Sequence, residues 1–236
     1  MMEKSIGILG GMGPLATADL YRKIVMLTKA SRDGDHIRVF IDSNPAIPDR
    51  TDAILSGGED PLPEMTVALR NLEKCGAGCI IMPCNTAHWF LPRLQALTDT
   101  PFLSMTEATA KACAEKYPGK CAAVLATRGT LSSGLYETAL RAQNVPCLLP
   151  NEVQRDVLMH LIYDVVKASR PLAPEAPIWE QLLAELRSQG ADYFILGCTE
   201  LPIVAETLDR KGPFLDPTAE LAKAAIRFCG YEIAEG

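Results

Sequence analysis

CIIMPC at residues 79–84 and YFILGC at residues 193–198 lie one over the other without a gap, at a shift of 114 residues. Each is a short apolar run that ends in cysteine and passes at once into polar residues, Asn85-Thr86 in one and Thr199-Glu200 in the other. Outward from this pair the chain keeps matching itself in order. Gly76-Ala77 lies over Gly190-Ala191 at the same shift, and PFL at 101–103 recurs at 213–215 at a shift of 112. Thr106 and Lys111 then match Thr218 and Lys223. Nearer the start, IGILGGMGPL (6–15) lies over AAVLATRGTL (122–131) at a shift of 116. Shifts that drift so little over an ordered series mark two copies of one unit, with a period longer than that of solenoid repeats.

The unit is built from strands and helices in alternation. Strand-length apolar runs fall at 5–10, 38–42, 79–83, 101–104, 121–126, 193–196 and 213–216. Helical patterns lie between several of them, over Thr17–Leu27, Pro63–Lys74, Gln154–Val166 and Glu180–Ser188. Runs without polar alternation, separated by helices, indicate parallel strands covered on both faces. The class is therefore α/β, with two similar lobes from an internal duplication, residues 1–104 with 216–236 forming one and 105–215 the other. In open parallel sheets ligands bind beyond the carboxyl ends of the strands, the place that Cys84 and Cys198 each occupy in their own copy. Lobes related by a pseudo-twofold axis would set the two thiols across one cleft, with the active site between them.

Inversion of a stereocentre by proton transfer needs a base on one face of the carbon and an acid on the other, and a facing thiolate and thiol meet that need in either direction. A single nucleophilic cysteine would want a histidine partner. His88 stands one helical turn after Cys84, but the second copy has no histidine at the matching place, so a Cys–His hydrolase leaves Cys198 idle. A free thiol has a pKa near ~8.5 and must lose its proton to act as a base. The unpaired N–H groups of a helix N-terminus would favour that, and Asn85-Thr86 and Thr199-Glu200 are suited to opening such helices and to holding a substrate carboxylate. The ordinary alternative is that both cysteines are small buried hydrophobes beside unremarkable helix starts.

Bulk composition narrows the partners. A net charge of −6 and a pI near 5.2 argue against a nucleic-acid partner, because phosphate binding needs a basic surface. No apolar run approaches the ~20 residues that span a bilayer, and MMEKSIGILGG reads as a first strand rather than a signal peptide, so a cytoplasmic protein without a membrane partner is expected. In that setting the eight cysteines are expected as free thiols. Cys75 and Cys79 lack companion CxxC or HxxxH spacing, so no metal site is expected.

The residues PCNTAH and GCTELP, with GGMGP near the start and NPAIPDRT at 44–51, resemble the aspartate/glutamate racemase superfamily, and within it the aspartate racemase branch. The likeness covers essentially the whole chain, with the motifs in family order. In the glutamate racemase branch the second motif typically continues with histidine, whereas Glu200 stands here. The resemblance implies an amino-acid racemase that uses no cofactor, with Cys84 and Cys198 as the acid/base pair. It further implies lobes each built on a four-stranded parallel sheet, and a homodimer. Asn85, Thr86 and Thr199 carry over as binders of the α-carboxylate of a small amino-acid substrate. Arg50 and Lys167 match positions that hold the side-chain carboxylate of aspartate or, alternatively, glutamate; broad-specificity members also occur. Met12 and Thr127 follow corresponding first strands and are expected to line the cleft.

Two rivals remain from the sequence. Gly11-Met12-Gly13-Pro14-Leu15-Ala16 fits G-x-G-x-x-A after a strand, with Asp42 ending the next, which would suit an NAD-linked oxidoreductase. Against it stand a proline inside the turn and a duplicate loop, ATRGTL, without the glycines. A non-catalytic two-lobed protein that closes on an amino acid is the other, and it predicts binding without exchange of the α-hydrogen.

Overall fold

The computed structural model describes residues 4–208 and 212–234. In chain order its elements are β1 (Ile6–Gly10), α1 (Pro14–Leu27), β2 (Val39–Ser43), α2 (Arg50–Leu55), α3 (Leu62–Lys74), β3 (Cys79–Ile81), α4 (Leu91–Gln95) and α5 (Met105–Lys116). They continue as β4 (Ala122–Leu125), α6 (Arg128–Ser132), α7 (Leu135–Ala142), β5 (Cys147–Leu148), α8 (Glu152–Met159), α9 (Ala176–Ser188), β6 (Tyr193–Leu196), α10 (Leu201–Leu208), β7 (Phe214–Leu215) and α11 (Pro217–Phe228). The chain separates into two compact units. One joins the described residues up to Ala108 with those from Thr218 onward, and the other is Thr109–Pro217.

Each unit is organised around a parallel sheet. In the first the strand order is β2-β1-β3, and in the second β5-β4-β6-β7. The α/β reading and its doubly repeated order hold, with one correction. Four strands were expected in each sheet, but in the first the segment Pro101–Ser104 makes a single bridge, Ile80 to Phe102, in place of a fourth strand. A proline and a helix start bracket the equivalent β7 at the same spacing, so the difference is one residue pair: Phe102 alone is bridged, where Phe214 and Leu215 both pair. The bridge still sits at the repeated position. Ile80 N–H donates to the Pro101 carbonyl at 2.9 Å, and Phe194 N–H donates to the Pro213 carbonyl at 3.0 Å.

The strands are apolar throughout because both faces are covered. Successive side chains of a strand point to opposite faces, and the buried clusters divide by that parity. In the first unit Ile6, Ile8, Cys79 and Ile81 pack with Leu20 and Ile24 of α1 and with Leu221, Ala225 and Ile226 of α11. Leu9, Ile80 and Met82 pack on the other side with Met65, Leu69 and Leu72 of α3. In the second unit Ala122, Val124 and Ile195 meet Tyr136 and Leu140 of α7. Ala123, Leu125, Phe194 and Leu196 meet Leu158 of α8, the fully buried Trp179 of α9 and Val204 of α10. Burying such side chains supplies about 1.5–3 kcal/mol each relative to exposure.

The expected helix over Gln154–Val166 changes character midway. Asn151 caps α8 with a reciprocal capping box to Gln154, and after Met159 the chain widens into a π-helix over His160–Val166 that ends at Lys167. Strand β5 was not expected from the sequence. Its two residues, Cys147 and Leu148, lie between Pro146 and Pro150 and form the sheet edge against Ala122 and Ala123.

Candidate active site

Cys84 and Cys198 each continue the inward-facing row of a strand end. Ile80, Met82 and Cys84 fall in one cluster of the first unit, and Phe194, Leu196 and Cys198 in one cluster of the second. The repeat shift carries each member of one row onto the other. Both thiols are buried, Cys84 being 7% and Cys198 8% exposed. The two residues therefore hold equivalent stations in their own units, just past the carboxyl end of β3 and of β6.

Around Cys84 the first unit gathers Met12, Arg50, Asn85 and Thr86. Met12 and Ile47 share the buried cluster of Cys84. Arg50 opens α2, behind an Asp49 cap, and its guanidinium donates to the carbonyls of Ile47 at 3.2 Å, Pro48 at 3.0 Å and Met12 at 3.4 Å. It thereby ties the loop before α2 to the loop after β1. Asn85 and Thr86 are buried next to Cys84. The expected N-cap does not form. Asn85 already has helical backbone angles (φ −60, ψ −47), and its side chain makes no capping bond to the 3-10 turn Thr86–Phe90. A cap needs an extended backbone, so that the side chain can turn back on the next residues.

His88 is committed elsewhere than to a thiol. Met105 N–H donates to its Nε2 at 2.9 Å, so the ring proton sits on Nδ1 and is donated to the Cys84 carbonyl at 2.9 Å. Burial pushes the ring pKa down to about 4, against backbone hydrogen bonds that raise it. His88 is thus a neutral strut between the Cys84 backbone and the start of α5, and not the base of a Cys–His pair.

Around Cys198 the second unit gathers Thr127, Lys167, Thr199 and Glu200. Thr127, buried after β4, caps α6 by accepting from Thr130 N–H at 3.2 Å. The Cys198 thiol donates to Glu200 Oε2 at 2.9 Å, and Thr199 Oγ1 donates to the same oxygen at 3.2 Å. Lys167 is exposed at the end of the π-helix, with Nζ 4.1 Å from the centre of the Tyr163 ring. The thiol pKa is pushed well up, first by burial and then by the Glu200 carboxylate, while the Lys167 charge works the other way. That reverses the expectation of a helix-start thiol with an easily lost proton. Helix α10 begins only at Leu201, and the nearest formal charge to the sulfur is an anion.

Glu200 escaped the sequence reading as a functional residue, although a signal was present. Thr86 and Glu200 are the residues two past each of the matched cysteines, and they differ in charge.

The glycine turn has its own explanation. Gly11 has φ +91, and a Cβ there would lie 2.2 Å from the Asn44 carbonyl oxygen. Its N–H donates to Thr17 Oγ1 at 2.9 Å. Gly11 is glycine because the chain at Asn44 presses against it, so that position of the motif has a structural cause of its own. Among the described residues, no group of three His, Cys, Asp or Glu side chains could hold a metal ion, and no helix is long and apolar enough to cross a membrane.

Two parallel-sheet units with a buried cysteine past the equivalent strand of each define a two-unit α/β protein. The Asp/Glu/Hydantoin racemase family model matches residues 9–225, and the chain belongs to that family of isomerases. It is 31% identical over 225 residues to the broad specificity amino-acid racemase RacX of Bacillus subtilis (strain 168), covering 94% of this chain and 96% of that protein. The structure of Picrophilus torridus aspartate racemase superposes with a TM-score of 0.82 at 30% identity, over 98% of this chain and 96% of that one. An aspartate racemase homologue from Pyrococcus horikoshii OT3 shares the fold, with a TM-score of 0.78 at 23% identity over 96% of this chain and 99% of that one.

Proposed function

We propose that the protein racemises an acidic amino acid, aspartate in the first place, by passing a proton between Cys84 and Cys198 without a cofactor. The observation that carries this reading is the equivalence of the two buried thiols, each extending the same row of its own sheet. One removes the α-proton and the other delivers a proton to the opposite face, and their roles exchange when the reaction runs backward. Asn85, Thr86 and Thr199 hold the α-carboxylate, Arg50 and Lys167 the side-chain carboxylate, and Met12 and Thr127 line the site. The reading places the enzyme in the cytoplasm as a homodimer.

A broader substrate range is the second reading, and one observation favours it. The Arg50 guanidinium already serves three backbone carbonyls, so its cation is shared with the loop it holds.

The test is exchange in deuterium oxide with single enantiomers. Wild type should incorporate deuterium as it inverts. Cys84→Ala and Cys198→Ala should each lose racemisation by ~10²–10⁴-fold, the usual worth of a positioned acid or base. Each should retain exchange for opposite enantiomers. If either single variant racemises both enantiomers at near wild-type rates, the paired mechanism is wrong.

A further inference from the structure

We propose that Glu200 is the positioning residue that keeps the proton on Cys198, so that this half of the site rests as the acid. The inference rests on the two-thiol reading above. Its physical basis lies wholly within the second unit. Glu200 Oε2 accepts from the Cys198 thiol at 2.9 Å and is itself fixed by the Thr199 hydroxyl at 3.2 Å. The S–H bond is aimed at the carboxylate, and the contact is attractive only while the sulfur keeps its proton. A thiolate would face an anion across 2.9 Å in a site where Cys198 is buried. Like charges so close disfavour the second ionisation.

The other ionisable groups around the sulfur do not cancel this. Tyr136, from α7, is buried and held neutral, its phenol pushed well above its ordinary value by burial. Lys167, at the end of the π-helix, acts in the opposite sense, but it ranks behind both burial and Glu200. Lys167 is also exposed, so solvent screens it. The first copy carries no carboxylate at the equivalent position. Thr86 stands where Glu200 stands, and His88 holds the Cys84 backbone rather than its sulfur.

The second unit thus gives its thiol a carboxylate acceptor that holds the S–H proton in place. Cys198 enters the proposed reaction as the proton donor, for the enantiomer whose α-hydrogen faces away from it. After the Cys198 S–H bond has given its proton to the substrate carbon, the thiolate left behind is destabilised by Glu200. That destabilisation favours uptake of a proton from water at Cys198, while Cys84 releases to water the α-proton it took, and the starting form is restored.

The experiment is peptide-mapped alkylation of Cys198 by iodoacetamide from pH 6 to 10, on the full chain. In wild type the midpoint for Cys198 should lie above ~8.5, the ordinary thiol value. In Glu200→Gln it should fall by at least about one unit, with Cys198 modified roughly tenfold faster near neutrality. Glu200→Asp, which keeps the charge, should stay near wild type. A wild-type midpoint below the ordinary value, or a Glu200→Gln midpoint that is unchanged or higher, overturns the proposal. The wild-type measurement stands even if a variant fails to fold. The alkylation profile is independent of turnover, so a protein that shows it but exchanges no deuterium refutes the racemase reading and leaves the Glu200 contact intact.

Discussion

The Cys84 carbonyl accepts the Nδ1 proton of His88 at 2.9 Å, and that bond joins the residue past β3 to the start of α5 through one buried ring. The ring is neutral in the folded protein, with a pKa near 4 where an unfolded histidine titrates near 6.5. Below the unfolded value the unfolded chain binds the extra proton and the native chain does not. Stability from this source is therefore complete above pH 6.5 and is lost as pH falls toward 4, by roughly 3 kcal/mol. Urea unfolding of wild type and His88→Phe at pH 7, 5.5 and 4.5 isolates the effect. The variant should be weaker throughout, with two backbone groups left unserved, but should show a shallower decline with acid. Parallel pH curves would mean that His88 does not carry the protonation cost.

Gly11→Ala should be among the most damaging single changes in the first unit. A side chain at φ +91 is strained, and its Cβ would stand 2.2 Å from the Asn44 oxygen. Backbone strain alone costs about 1–2 kcal/mol, and separating the Asn44 segment from the turn adds to it. The melting temperature should drop by well over ~5 °C on the scale set for chains of this size. A variant as stable as wild type would show that the two loops do not press together in solution.

Arg50→Met distinguishes loop-holding from substrate recognition. If the guanidinium also meets a substrate carboxylate, kcat/KM should fall by roughly 2–4 kcal/mol for acidic substrates and much less for neutral ones. An equal loss for both would leave Arg50 only its three carbonyl bonds as a role.

Lys167→Met should raise the alkylation midpoint of Cys198, because the lysine charge favours the thiolate, as does a backbone hydrogen bond from Glu200. It should also weaken acidic substrates selectively, though less than Arg50→Met does. A fall in the midpoint would contradict the assigned direction of the charge.

The fold was readable from the sequence wherever repetition and unbroken apolar runs coincided. The rows ending in Cys84 and Cys198 are visible as two matching six-residue strings, because covering both faces of a parallel strand forbids polar alternation. What stayed hidden depended on short-range geometry or on a partner remote in sequence. The edge strand β5 has two residues between prolines and no pattern of its own. The π-turn after Met159 keeps a helical apolar period, so nothing in composition separates it from α8. Asn85 looked like a cap by type, but it is already helical by backbone. The charge at position 200 was plain to read, yet its aim at sulfur is a matter of rotamer.

The discontinuous make-up of the first unit has a consequence for synthesis. One face of its sheet, with Ile6 and Ile8, is covered partly by α11, whose residues 217–228 follow the entire second unit in the chain. On the ribosome the contiguous unit 109–217 has all of its own strands and helices available before α11 emerges. The unit translated first is thus the last to be completed, and until then its earliest strand presents isoleucines covered only in part by α1, of the kind chaperones bind.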